Sequence, residues 1–208
     1  LLKTALPVNR RNEVVHKRLR MTPRDAINPF DTQLGCRFPT STELQFLRNF
    51  LTLMMTEPGQ DIPTQGMSSM VTAVLEEMFI NRSDRADPKP YAAGVEPNVD
   101  ALLRQHGVTV DNRTTWWEVV DSLFIKGEHR GAAVAQRHAV PLLADAVSVV
   151  QSEKVRTALG EIRNTGTGEA LIQSFTRQVT NLLSLFPILS RPTAFDLGEA
   201  RVAALDKI

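Results

Sequence analysis

Twice in this chain a threonine stands three residues ahead of a glutamate at the head of an apolar run of helical period: Thr40 with Glu43, and Thr115 with Glu118. In that spacing the hydroxyl accepts a first-turn N–H and the carboxylate accepts the cap's own N–H, so each pair fixes where a helix begins. The first helix is expected to carry Leu44, Leu47, Phe50, Leu51 and Met54 on one face and to stop at Pro58-Gly59. The second opens with Trp116, Val119, Val120, Leu123 and Phe124 and closes at Gly127.

Other helices follow from the same period. Met67, Met70, Val71, Val74, Leu75, Met78 and Phe79 form one face after Pro63, a methionine-rich face read as ordinary core. Asn81 to Pro97, with Pro88, Pro90 and Gly94, reads as a breaker-rich loop with scope to move. A short helix then starts at Pro97 and stops at Gly107. From Glu128 onward the segments Ala132–Val140, Pro141–Gln151 and Ser152–Arg163 read as helical, with Pro141 forcing a kink or restart. After the loop Asn164–Gly168, Leu171, Ile172, Phe175, Val179, Leu182 and Leu183 mark the longest amphipathic helix, ended by Pro187.

The period changes at both ends. Glu13–Leu19 and Val202–Leu205 read as strands, and Asn28-Pro29-Phe30-Asp31 is turn chemistry. The expected fold is mainly α: a helical subdomain over residues 64–186, with short β segments in residues 1–63 and 187–208. That bracketing reads as a helical insertion in an α/β domain. The opening Leu1–Leu6, with no initiator Met, reads as a helix end stopped by Pro7.

The charge balance of 24 Lys and Arg against 23 Asp and Glu provides no global field toward nucleic acid or anionic lipid, so no direct nucleic-acid binding is expected. The local basic set Arg10, Arg11, Lys17, Arg18, Arg20 and Arg24 lacks interleaved aromatics and reads as a solvated strand face. A single cysteine, Cys36, allows neither an internal disulfide nor a Cys-based zinc site, and fits a reducing, cytoplasmic setting. The longest apolar runs fall short of the ~20 residues a transmembrane helix needs, so no transmembrane segment is expected.

No catalytic, nucleotide-binding or metal residue is assigned. None of the six lysines lies between Gly and Ser or Thr, so no P-loop lysine is present. Gly166-Thr167-Gly168 before a helix offers backbone N–H groups to an anion, weighed against a plain loop capped by Thr167. Val202-Ala203-Ala204-Leu205-Asp206 has the strand-then-acid shape of a magnesium-holding segment, but Lys207 stands where a second acid belongs. His16, His106, His129 and His138 lack ligand spacing. Adjacent Trp116 and Trp117 point about 100° apart on a helix, which places at least one inward and lets the other lie near a surface or interface. The pair is the candidate partner contact.

Four strings go beyond generic patterning: Leu19-Arg20-Met21-Thr22 running on to Ala26 through Gly35; Thr114 through Asp121; Ala135 through Leu143; and Pro192 through Val202. Together they resemble the IcmB/DotO/TraU group of conjugative-transfer ATPases of type IV secretion systems. The resemblance implies that the β segments belong to a RecA-like α/β core. It further implies a hexamer-forming motor peripheral to the cytoplasmic face of the bacterial inner membrane, with other subunits of the same ATPase and other secretion components as partners. In that family the P-loop lies before such a segment and the Walker B after it. ATP and Mg would therefore belong to the parent, with no cofactor held here and no activity from this chain alone. A trans-acting arginine among Arg137, Arg163, Arg177 and Arg191 stays unassigned. The rival readings are a freestanding helical adaptor that binds proteins through Trp116 to Phe124, and a DNA-binding module using Arg10 to Arg24.

Overall fold

The computed structural model describes residues 25–56 and 66–194, together with the backbone of two short strands. Strand β1 (His16–Leu19) pairs in parallel with β2 (Val202–Leu205), His16 opposite Val202 and Leu19 opposite Leu205. Among the described residues between them the regular elements are helices, with one isolated antiparallel bridge between Pro90 and Thr115. The helices are α1 (Ser41–Met55), α2 (Met67–Arg82), α3 (Pro97–Gln105), α4 (Trp116–Ile125), α5 (His129–Ala139), α6 (Asp145–Val149), α7 (Glu153–Ala158) and α8 (Gly166–Leu185). Short 3-10 turns lie at Gly160–Ile162 and Pro187–Leu189. The mainly α expectation holds.

Both capping boxes form as their spacing requires. Thr40 Oγ1 accepts the Glu43 N–H while the Glu43 carboxylate accepts the Thr40 N–H at 2.7 Å, and Thr115 and Glu118 repeat the arrangement. Gly107 and Gly127 follow α3 and α4 with positive φ, the conformation that ends a helix without steric cost only for glycine. The Pro141 restart separates α5 from α6.

Two apolar clusters result. Leu47, Leu51 and Met55 of α1 pack with the Met67–Phe79 face of α2, with Val155 of α7 and with Leu171, Ile172, Phe175 and Val179 of α8. Phe30 and Leu143 join this cluster from the turns. The second is a lobe made by Val99 and Leu103 of α3, Trp116 to Leu123 of α4, and Ala132, Ala135 and Ala139 of α5. α1 finds its apolar partners on α2 and α8, so the segment before residue 64 shares a core with the helices after it. At the other end Ile188 is buried and Leu189 packs on the same cluster.

Two local expectations need correction. The Asn81–Pro97 stretch begins inside α2 and is then pinned: Tyr91 N–H donates to the Thr114 carbonyl at 2.8 Å, Trp116 N–H to Lys89 at 3.0 Å, and the Tyr91 hydroxyl bonds Asp100. Gly166-Thr167-Gly168 is the first turn of α8, not a loop. Its cap is Thr165, whose hydroxyl accepts the Gly168 N–H. A Cβ on Gly168 would lie 2.2 Å from the Ile162 carbonyl oxygen, whereas one on Gly166 would meet nothing within 4 Å.

That contrast yields a paired prediction. Gly168→Ala should destabilise the chain by about 1–3 kcal/mol through forced backbone displacement, while Gly166→Ala should be neutral or stabilise it by up to about 1 kcal/mol. Urea unfolding of the two variants checks both, and equal midpoints would remove the packing explanation for Gly168.

Candidate functional site

Three of the strings singled out in the sequence meet at one place. The Asn28-Pro29-Phe30-Asp31 turn folds on itself, with the Asn28 Oδ1 accepting the Phe30 N–H at 3.2 Å. From there Asn28 reaches outward: its Nδ2 donates to the Pro141 carbonyl at 2.8 Å and its N–H donates to Thr193 Oγ1 at 2.9 Å. Thr193 in turn donates its hydroxyl to Asp31 Oδ2 at 2.6 Å, and Arg137 donates to the Thr193 carbonyl at 3.4 Å.

Gln136 does the same for the next turn. From a buried position on α5 its Nε2 donates to the Gln33 carbonyl at 2.9 Å and to Thr32, while its Oε1 accepts the Gly35 N–H at 2.7 Å. Buried amides are stable only when so satisfied. Beside these groups lies a cleft of about 160 Å³ lined by Asp31, Thr32, Leu34, Ala133, Gln136 and Arg137. Burial pushes the Asp31 carboxyl above its ordinary value, partly offset by the Thr193 hydroxyl and by Arg137.

A second polar group joins the two apolar clusters. Arg82 at the end of α2 pairs with Asp145 at 2.9 Å and with Asp87 at 3.0 Å, and its carbonyl accepts the Trp117 indole N–H at 2.7 Å. Lys89 donates to the Val140 carbonyl at 2.7 Å and lies 3.8 Å from Asp145. Burial pulls the Lys89 pKa down to about 8, partly offset by Asp145. Burial also works against the Asp145 carboxylate, but the Arg82 guanidinium, the Leu142 N–H and Lys89 outweigh it and hold its pKa below the ordinary value. Arg37 adds a third tie, bridging Asp84 at 2.8 Å and Asp121 at 2.6 Å with its guanidinium 4.8 Å from the Trp117 ring.

The two tryptophans, the candidate partner contact, are both buried within the chain. Trp116 is 4% exposed and Trp117 1%. Trp116 packs edge-on against Tyr91 and stacks on His138 at 4.6 Å. Trp117 enters the seam between the clusters, because two sides of α4 are covered: one by α5, the other by the end of α2 and Arg37. Helical geometry alone supplied one inward face, and the second came from distant chain.

The other sequence candidates lie apart. His106 pairs with Glu128 at 2.9 Å, His138 with Glu96 at 2.8 Å, and His129 meets the Phe124 ring. Among the described residues no group of three or more His, Cys, Asp or Glu is placed to hold a metal. Cys36 is exposed. Arg163 pairs with Glu153. The side chains of the Arg10–Arg24 set and Asp206 lie outside the described residues.

Sequence reading missed an exposed apolar stripe. Phe46 stacks on Phe50 at 6.1 Å, and Leu53 lies on the same side of α1; Phe46 is 59% and Leu53 76% exposed. The signal was available as an i, i+4, i+7 set, whose middle member Phe50 is half-buried on the first cluster while Phe46 and Leu53 lie outside the Leu47, Leu51 and Met55 face. A further cleft of about 210 Å³ is lined by Phe38, Pro39, Leu44, Phe79 and Ile80, with Glu76.

Comparison with protein-family models, curated proteins and solved structures finds no match for this chain.

Lys89 generates a pH prediction. Its folded pKa of about 8 lies below the ordinary lysine value, so above pH 8 the unfolded chain holds a proton that the folded chain has released. Stability should therefore rise with pH, by about 2 kcal/mol between pH 7.5 and 9.5. Lys89→Met should flatten that slope. Urea midpoints at the two pH values measure it, and an unchanged slope in the variant would assign the effect elsewhere.

Proposed function

We propose that this chain is part of the ATPase domain of a type IV secretion or conjugation motor of the IcmB/DotO/TraU kind. In this reading the helical body rides on a RecA-like α/β core and serves packing and contacts with neighbouring subunits or other secretion components. The observation that carries it is the parallel pairing of β1 with β2 across the whole helical body. Parallel neighbours require a crossover connection, and sheets of such strands are the mark of α/β domains. The meeting of three resemblance-bearing strings at the Asn28 junction also supports it.

ATP and Mg are held by other parts of the parent in this reading, which assembles as a hexamer peripheral to the inner membrane. No helix among the described residues is long and apolar enough to cross a membrane. The contact role falls to the Phe46, Phe50 and Leu53 stripe of α1 and to the cleft beside Phe38, since monomeric surfaces seldom leave such apolar groups together. The same stripe favours a second reading, a helical adaptor, with its binding face moved from Trp116–Phe124 to α1.

Turnover by this chain should be compared with turnover by a longer one extended at both ends. The expected result is ATP binding and hydrolysis by the longer chain alone. Turnover by the present chain, or no nucleotide binding by the longer one, would overturn the assignment.

The contact face has its own test. Phe46→Glu with Leu53→Glu should leave thermal stability within about 0.5 kcal/mol, as exposed sites do, and should abolish assembly of the longer chain in sedimentation. Intact assembly would clear α1 of that role.

A further inference from the structure

Two described stretches at the ends of the helical body, 26–28 and 188–194, are bonded to each other. Ala194 N–H donates to the Ala26 carbonyl at 3.0 Å, Ile27 N–H to the Ile188 carbonyl at 2.8 Å, and Asn28 N–H to Thr193 Oγ1 at 2.9 Å. Both stretches are also fixed to α5 and its C-terminal turn, through Asn28 to Pro141, Arg137 to Thr193, and Gln136 to the Thr32–Gly35 turn.

We infer that this junction joins residues 26–28, residues 188–194 and α5 into a single cooperative unit whose three parts open together and not one by one.

The reason lies in how the bonds are shared. Asn28 and Gln136 are 3% and 4% exposed; Asn28 satisfies the Pro141 carbonyl and the Phe30 N–H of its own turn, and Gln136 ties α5 to the Thr32–Gly35 turn. Pulling any one segment away strands buried polar groups on the others, so partial opening is costly and the segments open together. The Ala132, Ala135 and Ala139 face of α5 packs in turn on α4, and α3 closes the same cluster. The inference concerns mechanics alone and stands whether or not the ATPase reading does.

Hydrogen exchange of the whole chain, resolved by segment, tests it. In the unaltered protein, amides in 26–28, 188–194 and 137–141 should share one opening rate. Asn28→Ala should speed exchange in all three segments together, by roughly ten- to a hundredfold, and leave α1 and α7 unchanged. Faster exchange confined to residues 28–31 would overturn the coupling. Should Asn28→Ala fail to fold, Thr193→Val removes only a hydroxyl and carries the same readout. Accelerated exchange in α5 and at 26–28 is then expected, and an unchanged α5 rejects the inference.

Discussion

Because β1 and β2 are neighbours in one sheet, the long helical segment between them must begin and end at the same place. That closure is the constraint on which the rest of the structure depends. Helix propensity and apolar period decide what the intervening elements are, but neither brings residue 26 back to residue 194. The Asn28 junction does so with hydrogen bonds to both ends, buried at Pro141 and half-buried at Thr193. An apolar contact in the same position would tolerate sliding; a bidirectional amide such as Asn28 or Gln136 fixes register as well as distance.

The body held by this junction has two cores, and their union is polar. Arg82, Lys89, Asp145 and Arg37 lie where the α1–α2–α8 cluster meets the α3–α5 lobe, and Trp117 spans the seam with its ring packed and its N–H bonded to the Arg82 carbonyl. Such groups are an expensive way to join two apolar surfaces, as the depressed Lys89 pKa records. They also specify one arrangement of the lobes, which two greasy faces alone would not.

What the sequence disclosed was local. Thr40–Glu43 and Thr115–Glu118 announced their helices because both partners of a capping box lie within one turn, and Gly107, Gly127 and Pro141 ended theirs for similarly short-range reasons. What it concealed depended on distant chain. Trp116 and Trp117 resembled a half-exposed pair because nothing nearby reveals that Arg37 and the end of α2 cover the second ring. Gly168 resembled loop chemistry because the Ile162 carbonyl that excludes a side chain belongs to the preceding turn. Asn28 was legible as a turn former but not as a hub, since the turn is made with Phe30 and the hub with Pro141 and Thr193.

The same separation orders assembly in time. The Asn28–Thr193 bond closes a loop of 165 residues, and the entropy of bringing such distant segments together must be spent before any contact there repays it. The α4–α5 hairpin, joined by the Lys126–Glu128 turn, closes almost no loop and packs extensively on itself. Early structure should therefore gather around the tryptophan-bearing lobe, with the junction and the strand pair completed last. A chain emerging from the ribosome can form that lobe while Thr193 is still unmade, and must hold β1 unpaired until β2 arrives.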